Sequence, residues 1–225
     1  MASGLLEAIS GIKDEDQGGF SIAPGTVTDN LNVLAEGRVQ VHVPEIPDFD
    51  PWARVSAVGG GSGRGFLWIP QIGDEVLVAF NKNDARDAYV LGGLWSTLNR
   101  PPALVPTDFI SKKIIKTGVS DSPLGHTIEM DDLLQSVKIT TSTSQEITMD
   151  PKKIAISAGQ GAFKITLDVT SAGITIESTL GNIKLSAPAG EISLQALTVS
   201  IQGDVSTGIS SNGPVSINGA LVTIN

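Results

Sequence analysis

The chain has 225 residues, enough for one large or two small domains, and a formal net charge of −9. This charge leaves no basic surface for phosphates, so no nucleic-acid partner is expected. The sequence contains no cysteine, which excludes disulfides, thiolate metal sites and cysteine nucleophiles.

The first 20 residues begin with a short apolar stretch, 5–12, followed by the acidic run Asp14-Glu15-Asp16. We interpret residues 1–20 as a docking arm, with a solvated tail as the alternative. The arm lacks the charged-then-apolar pattern of a secretion signal, and no run approaches the ~18–20 apolar residues of a membrane span. We expect the protein to be assembled in the cytoplasm into a particle that carries it to its place of action.

Residues 21–100 alternate apolar and polar side chains in short segments separated by turn residues. Aromatic residues make up only 4% of the chain while Val, Ile and Leu are plentiful, a composition typical of strands. Several short strands in close succession predict a small closed barrel in an all-β protein. The predicted strands are residues 25–33, 37–43, 52–58, 65–70, 74–80 and 87–94.

Three prolines between positions 101 and 106 mark a linker over residues 101–124. The composition changes beyond it, because no arginine follows Arg100 and charged residues become rare toward the C-terminus. This change predicts a domain boundary, with a second domain over residues 125–225.

The second domain contains a nine-residue repeat. Isoleucine recurs at this interval, and a second aliphatic residue follows most copies two positions later, so both side chains lie on one face of a strand. A strand this short cannot bury its apolar face alone. The predicted core positions are Ile165, Leu167, Ile174, Ile176, Ile183, Leu185, Ile192, Leu194 and Ile201.

Nine residues are about half of one coil of a single-chain solenoid, and the glycine- and aspartate-rich calcium-binding form of such a repeat is missing. Three chains wound together would close the sheet edges with so short a unit. We therefore predict a homotrimeric, triple-stranded, intertwined β-helix as the shaft. The alternation still continues at its predicted tip, which comprises Val215, Ile217, Val222, Ile224 and Asn225.

Five stretches carry a family resemblance. They are GRVQV at 37–41, WARV at 52–55, the long stretch 65–80, the segment 83–92, and GHTIEMDD at 125–132. In this order they resemble phage baseplate spike proteins of the baseplate assembly protein V type, and the spike portion of VgrG-like proteins of contractile injection systems. Within the long stretch, the run IPQIGDEVLVAF at 69–80 is specific in this setting.

The resemblance implies an OB-fold barrel followed by the triple-stranded β-helix, in a homotrimer at the end of a tail tube. It implies a separate hub protein on the N-terminal side and a PAAR-like tip protein at the C-terminal end. Contraction of a sheath would drive such a spike through the target cell envelope, so the target membrane is contacted only transiently. The implied role is structural, not enzymatic, and requires no cofactor.

Three groups of residues could carry chemistry, and each has a simpler explanation. The glycine-rich stretch 59–65 lacks the lysine that ends a phosphate-binding loop and leads into a predicted strand, so we interpret it as a barrel loop. The carboxylates Glu129, Asp131 and Asp132 flank a turn, where solvated charge is ordinary. The two histidines, His42 and His126, are far apart in sequence, so neither a catalytic nor a metal site is predicted.

Two other functions remain as alternatives. A receptor-binding tail fibre or adhesin would need an exposed aromatic or charged tip, which the last 40 residues lack. A polysaccharide-cleaving β-helix would need longer coils and a cluster of carboxylates or arginines along one groove, and the predicted shaft contains no arginine.

Overall fold

A computed structural model describes residues 22–31, 36–103, 105–119, 122 and 124–224. The chain divides into two compact units, Met1–Gly181 and Asn182–Asn225. The predicted docking arm, residues 1–20, lies outside the described residues. Among the described residues, no helix is long and apolar enough to cross a membrane.

The first part of unit Met1–Gly181 is a closed five-stranded barrel. Its strands follow one another around the barrel in the order β1-β2-β3-β5-β4, and all pairs are antiparallel except the parallel pair β3–β5. The strands are β1 (Ile22–Asp29), β2 (Arg38–His42), β3 (Trp52–Val55), β4 (Glu75–Phe80) and β5 (Ala88–Gly93). The closed barrel predicted from the alternation is confirmed.

Small branched side chains fill the barrel. The burial pattern of β1 and β4 alternates strictly, because every second residue points inward. Valine at these positions suits a narrow interior, where its stiff branched side chain packs without large voids. The most deeply buried members of this core are Val27, Val39, Val41, Val43, Val76, Val78 and Val90.

One predicted barrel strand, residues 65–70, is wrong. These residues form no ladder, and a hydrogen bond from the Phe66 N–H to the Val58 carbonyl is their backbone contact with the preceding loop. Phe66 and Trp68 instead stack on each other outside the barrel, with ring centroids 5.6 Å apart. Phe66 and Trp68, two positions apart, lie on one exposed face of a segment that has no hydrogen-bonded neighbour strand.

A single seven-stranded antiparallel sheet follows the barrel in the same unit, its strands joined in sequence as a meander. The stretch predicted as a linker contains a four-residue helix, α1 (Asp108–Ser111), and the first of these strands, so the sheet begins earlier than the repeat indicated. The strands are β6 (Lys112–Lys116), β7 (Thr127–Asp131), β8 (Ser136–Thr140), β9 (Glu146–Met149), β10 (Lys153–Ala158), β11 (Phe163–Asp168) and β12 (Gly173–Ser178).

In three hairpin turns of this sheet, an aspartate side chain accepts hydrogen bonds from the backbone of the turn. Asp131, Asp150 and Asp168 each stand at or directly after a strand end, and one carboxylate oxygen of each accepts hydrogen bonds from the backbone N–H groups two and three residues later. These bonds, 2.7–3.0 Å long, satisfy turn donors that have no ladder partner. They hold the pKa of the Asp168 carboxyl below its usual value, chiefly through the Ser171 N–H.

The unit Asn182–Asn225 is described up to residue 224. Its described residues form neither helix nor strand. Their aliphatic side chains are all exposed, from 47% at Val222 to fully exposed at Leu197. In this described part, a backbone–backbone hydrogen bond joins the Gly190 N–H to the Ala187 carbonyl and no other is found.

Candidate assembly surface

The register of the seven-stranded sheet places its aliphatic residues in two straight rows. Consecutive members of each row are direct cross-strand partners, so together they make one continuous surface, which we call the apolar face. Direct partners of this kind stabilise a sheet by about 0.2–1 kcal/mol each. One row is Ile115, Ile128, Ile139, Ile147, Ile156, Ile165 and Ile176, and the other is Met130, Val137, Met149, Ile154, Leu167 and Ile174.

The apolar face is uncovered. Most of its members are 36–45% exposed, although all but the four at the ends of the rows have apolar neighbours on both sides within their row. Exposure rises to 73% at Ile174 and 56% at Ile176, because β12 is the edge strand of the sheet. An apolar sheet face of this extent requires a second layer, and no described part of this unit supplies one.

The opposite face is polar and carries paired charges. Lys138 Nζ lies 2.6 Å from a carboxylate oxygen of Glu146, and Lys112 Nζ lies 3.4 Å from Glu129. The Glu129 carboxylate and a second contact with Asp108 raise the pKa of Lys112, with the Glu129 hydrogen bond as the largest cause. Partly exposed ion pairs of this kind are typical of a solvated surface and add little stability. The polar face is therefore suited to water.

A cleft of about 710 Å³ opens between the barrel and the beginning of the sheet. Phe66, Trp68 and Trp95 line it from the barrel side, and Ile114 and Ile115 from β6. The three aromatic residues are 45–72% exposed. This exposure shows that all three side chains lie outside the barrel core.

The residues that could have carried chemistry have structural contacts. Glu129 faces Lys112, and Asp131 is the turn acceptor described above. The His42 ring nitrogen Nδ1 lies 3.0 Å from the Asp50 carboxylate on the barrel surface. The glycine-rich stretch 59–65 is an exposed loop closed by a bridge between Gly61 and Arg64. Within the described residues, no cluster of three or more His, Asp or Glu side chains could hold a metal ion.

The structure separates the predicted core positions into two groups. Ile165, Leu167, Ile174 and Ile176 lie together on the apolar face. The remaining five lie in the unit Asn182–Asn225, outside any strand: Ile183, Leu185, Ile192, Leu194 and Ile201. Of the predicted tip, Val215, Ile217, Val222 and Ile224 are exposed, and Asn225 lies outside the described residues. Their role in a trimer core or tip stays a prediction.

The first three strands of the apolar face, β6 to β8, were not recognised as part of the repeat. Ile115, Ile128 and Met130 belong to the two rows, yet the interval between consecutive turn aspartates changes from 19 to 18 residues. A strict nine-residue search therefore loses the pattern. Alternation alone, as in Thr127-Ile128-Glu129-Met130, is the signal that would have found it.

The barrel residues are similar to a known protein family. Residues 23–95 match the family described as type VI secretion system/phage-baseplate injector OB domain. Over those residues the chain is similar to this injector OB domain. The resemblance to spike proteins of the VgrG and phage-baseplate type, stated from the sequence, is thereby confirmed for the barrel, as is its OB fold.

Two curated proteins are also similar to part of the chain. Over 87 residues the chain is 33% identical to the actin cross-linking toxin VgrG1 of Vibrio cholerae serotype O1 strain O395. It is 31% identical over 87 residues to the type VI secretion system spike protein VgrG3 of strain N16961 of the same serotype. Each match covers 36% of this chain and 8% of the relative, so the chain spans a small part of either protein.

Proposed function

We propose that this chain is the central spike of a contractile phage tail or contractile injection system, and that it acts as a homotrimer. The observation that carries the proposal is the direct succession, in one unit, of an injector OB domain and a sheet with an uncovered apolar face. The first feature relates the chain to spike proteins. The second requires the multi-chain assembly that a spike would supply.

The composition of the apolar face supports assembly. The two rows contain no charged residue, although Lys113, the β6 partner of Met130, lies at the end of the second row. From β7 to β12 identical copies can therefore pack against one another without burying an unpaired charge. Three sheets arranged around one axis would cover all three apolar faces and leave the polar faces in water.

The proposed mechanism is mechanical. Seven strands spaced about 4.8 Å apart extend the sheet by roughly 29 Å in the hydrogen-bonding direction. If that direction runs along the axis of the spike, axial load is carried by the backbone ladder and by side chains interlocked at the centre. Such a shaft would resist bending. This role needs no catalytic residue.

We propose one partner on the barrel side of the spike and one at its tip. The injector OB domain would seat the spike beneath a hub protein on its N-terminal side. At the other end, exposed aliphatic residues, including Val222 and Ile224, would be covered by a small tip protein of the PAAR-like kind. During contraction the spike would cross the target cell envelope and contact its membrane only transiently.

The proposal is tested on contractile particles purified from cells that express the chain. We expect a specific antibody to label one end of the tube, on its axis, with three copies of the chain in each particle. Particles from a strain lacking the gene are the control and should carry no label. Label on peripheral fibres would support the receptor-binding alternative, and protein found only free of particles would contradict the spike function.

A further inference from the structure

We infer that Met130 and Met149 are oxidation sites that control whether the chain can assemble. A peroxide that converts these thioethers to sulfoxides before assembly prevents the apolar face from closing, whereas the assembled protein shields both side chains. This inference rests on the proposed homotrimer, because it requires the apolar face to be the contact between copies. The oxidant belongs to the peroxide class, of which hydrogen peroxide is the simplest member.

Methionine occurs on the apolar face at two neighbouring positions. The sequence has three methionines, and the two that follow Met1 lie in the same row. Each is a direct cross-strand partner of Val137, so they lie two strands apart, about 9.6 Å. Every other member of the two rows is isoleucine, valine or leucine, which have no sulfur to oxidise. A peroxide therefore acts on this face at Met130 and Met149.

Both side chains are open to a small oxidant in the single chain. Met130 is 36% exposed and Met149 is 38% exposed. Met130 lines a cleft of about 380 Å³ beside Trp95 and Phe109, and Met149 lines another of about 790 Å³ beside Leu134. Either cleft is many times the ~30 Å³ that one water molecule occupies, so a peroxide molecule enters it without unfolding of the sheet.

The modification needs no catalyst from the protein. The thioether sulfur attacks one oxygen of hydrogen peroxide, the O–O bond breaks and an S–O bond forms. The second oxygen leaves as water after a proton moves to it. Sulfur loses two electrons and the peroxide gains them, so the reaction consumes one peroxide for each methionine. The product is a polar sulfoxide in place of an apolar thioether.

The two positions differ in whether a hydrogen-bond donor is at hand for the new oxygen. Met149 has Val137 and Ile154 as its cross-strand neighbours, and neither side chain can donate. Met130 has Lys113 as its neighbour on β6, and an ammonium group can donate. Burying a polar oxygen without a donor weakens association by roughly ten-fold or more for each copy. Oxidation of Met149 therefore has the larger effect on assembly.

Leucine variants test the sites, because leucine keeps the volume and apolar character of methionine but cannot be oxidised by peroxide. The full chain is unfolded in urea, treated with hydrogen peroxide, freed of both and refolded, and peptide mass spectrometry identifies the oxidised residues. Light scattering should show that the unsubstituted chain and Met130→Leu lose most of their trimer. Met149→Leu should keep most of it.

The double variant Met130→Leu/Met149→Leu is the matched control. It retains Met1 and every other residue that peroxide could damage, and it should form trimers equally well with and without treatment. Reduction of the oxidised chain by methionine sulfoxide reductases for both sulfoxide epimers, followed by a second refolding, should restore the trimer.

A second measurement needs no refolding. In the native trimer both methionines should be oxidised at least ten-fold more slowly than in the urea-unfolded chain, whereas Met149→Asp, which is expected to hold the chain as a monomer, should leave Met130 reactive. Peptide mass spectrometry after short exposures to peroxide gives these rates.

The outcomes separate this inference from the proposed function. Equal yields of trimer from oxidised and unoxidised chains would overturn the inference while leaving the trimer intact. Loss of trimer in the oxidised double variant, or equally fast oxidation of both methionines in the native trimer and the unfolded chain, would overturn it as well. If the purified chain is a monomer before any treatment, the proposed homotrimer fails first, and the role of the two methionines fails with it.

Discussion

Ile165→Asp is expected to convert the trimer into monomers. Ile165 lies within one row of the apolar face, directly between Ile156 and Ile176. In a threefold assembly the substitution would bring three carboxylates into an apolar axis, at a cost of roughly several kcal/mol for each buried charge. Light scattering should show a particle of one chain mass, 23.3 kDa, in place of three.

The matched control is Thr175→Asp in the adjacent strand. Thr175 lies on the polar face opposite Thr166 and is exposed, so an added carboxylate stays in water. This variant should remain trimeric, with at most a small change in stability. If both variants stay trimeric, or both dissociate, the assignment of the two faces is wrong.

Gly25→Ala is expected to destabilise the barrel by about 1–3 kcal/mol through overpacking. Gly25 points into the barrel between valines, and a Cβ there would stand 2.6 Å from a Val41 methyl group, 3.0 Å from the His42 carbonyl oxygen and 3.1 Å from Val43. Valine is too stiff to move aside without displacing the strand. All three tryptophans, Trp52, Trp68 and Trp95, lie in this part of the chain, so their fluorescence during urea unfolding reports the effect.

Gly92→Ala is the matched control for barrel packing. Gly92 also lies in a barrel strand, β5, but a Cβ at this position would meet no atom within 4 Å. We expect it to leave stability unchanged or to raise it by about 0.4–1 kcal/mol, because alanine restricts the unfolded chain. Equal losses in the two variants would mean that the barrel interior is not packed around Gly25 as described.

The barrel was predictable because its strands have one face in the core and one in water. Because of this, buried and more exposed residues alternate along these strands, as in Ile22–Asp29 and Glu75–Phe80. The same alternation at 65–70 led to a wrong strand prediction, since Phe66 and Trp68 share an exposed face outside the barrel. Alternation reports which side chains share a face, and it does not report whether the backbone has a ladder partner.

The second sheet was predictable only in part, for a related reason. The nine-residue interval identified the rows at Ile165 and Ile174, whereas the earlier strands are spaced by turns of unequal length. Whether a strand pairs within its own chain depends on the turn that follows it. At Asp168 the turn closes a hairpin, and its carboxylate accepts backbone hydrogen bonds. Only the structure revealed that Asp131 and Asp150 do the same in their turns.

The central claim is that three copies of this chain form one spike, and the mass of the purified chain in solution tests it most directly. Multi-angle light scattering is expected to give three times the chain mass of 23.3 kDa, unchanged on dilution through the micromolar range. A stable particle of 23.3 kDa would show that the apolar face remains uncovered in solution, and would contradict the account.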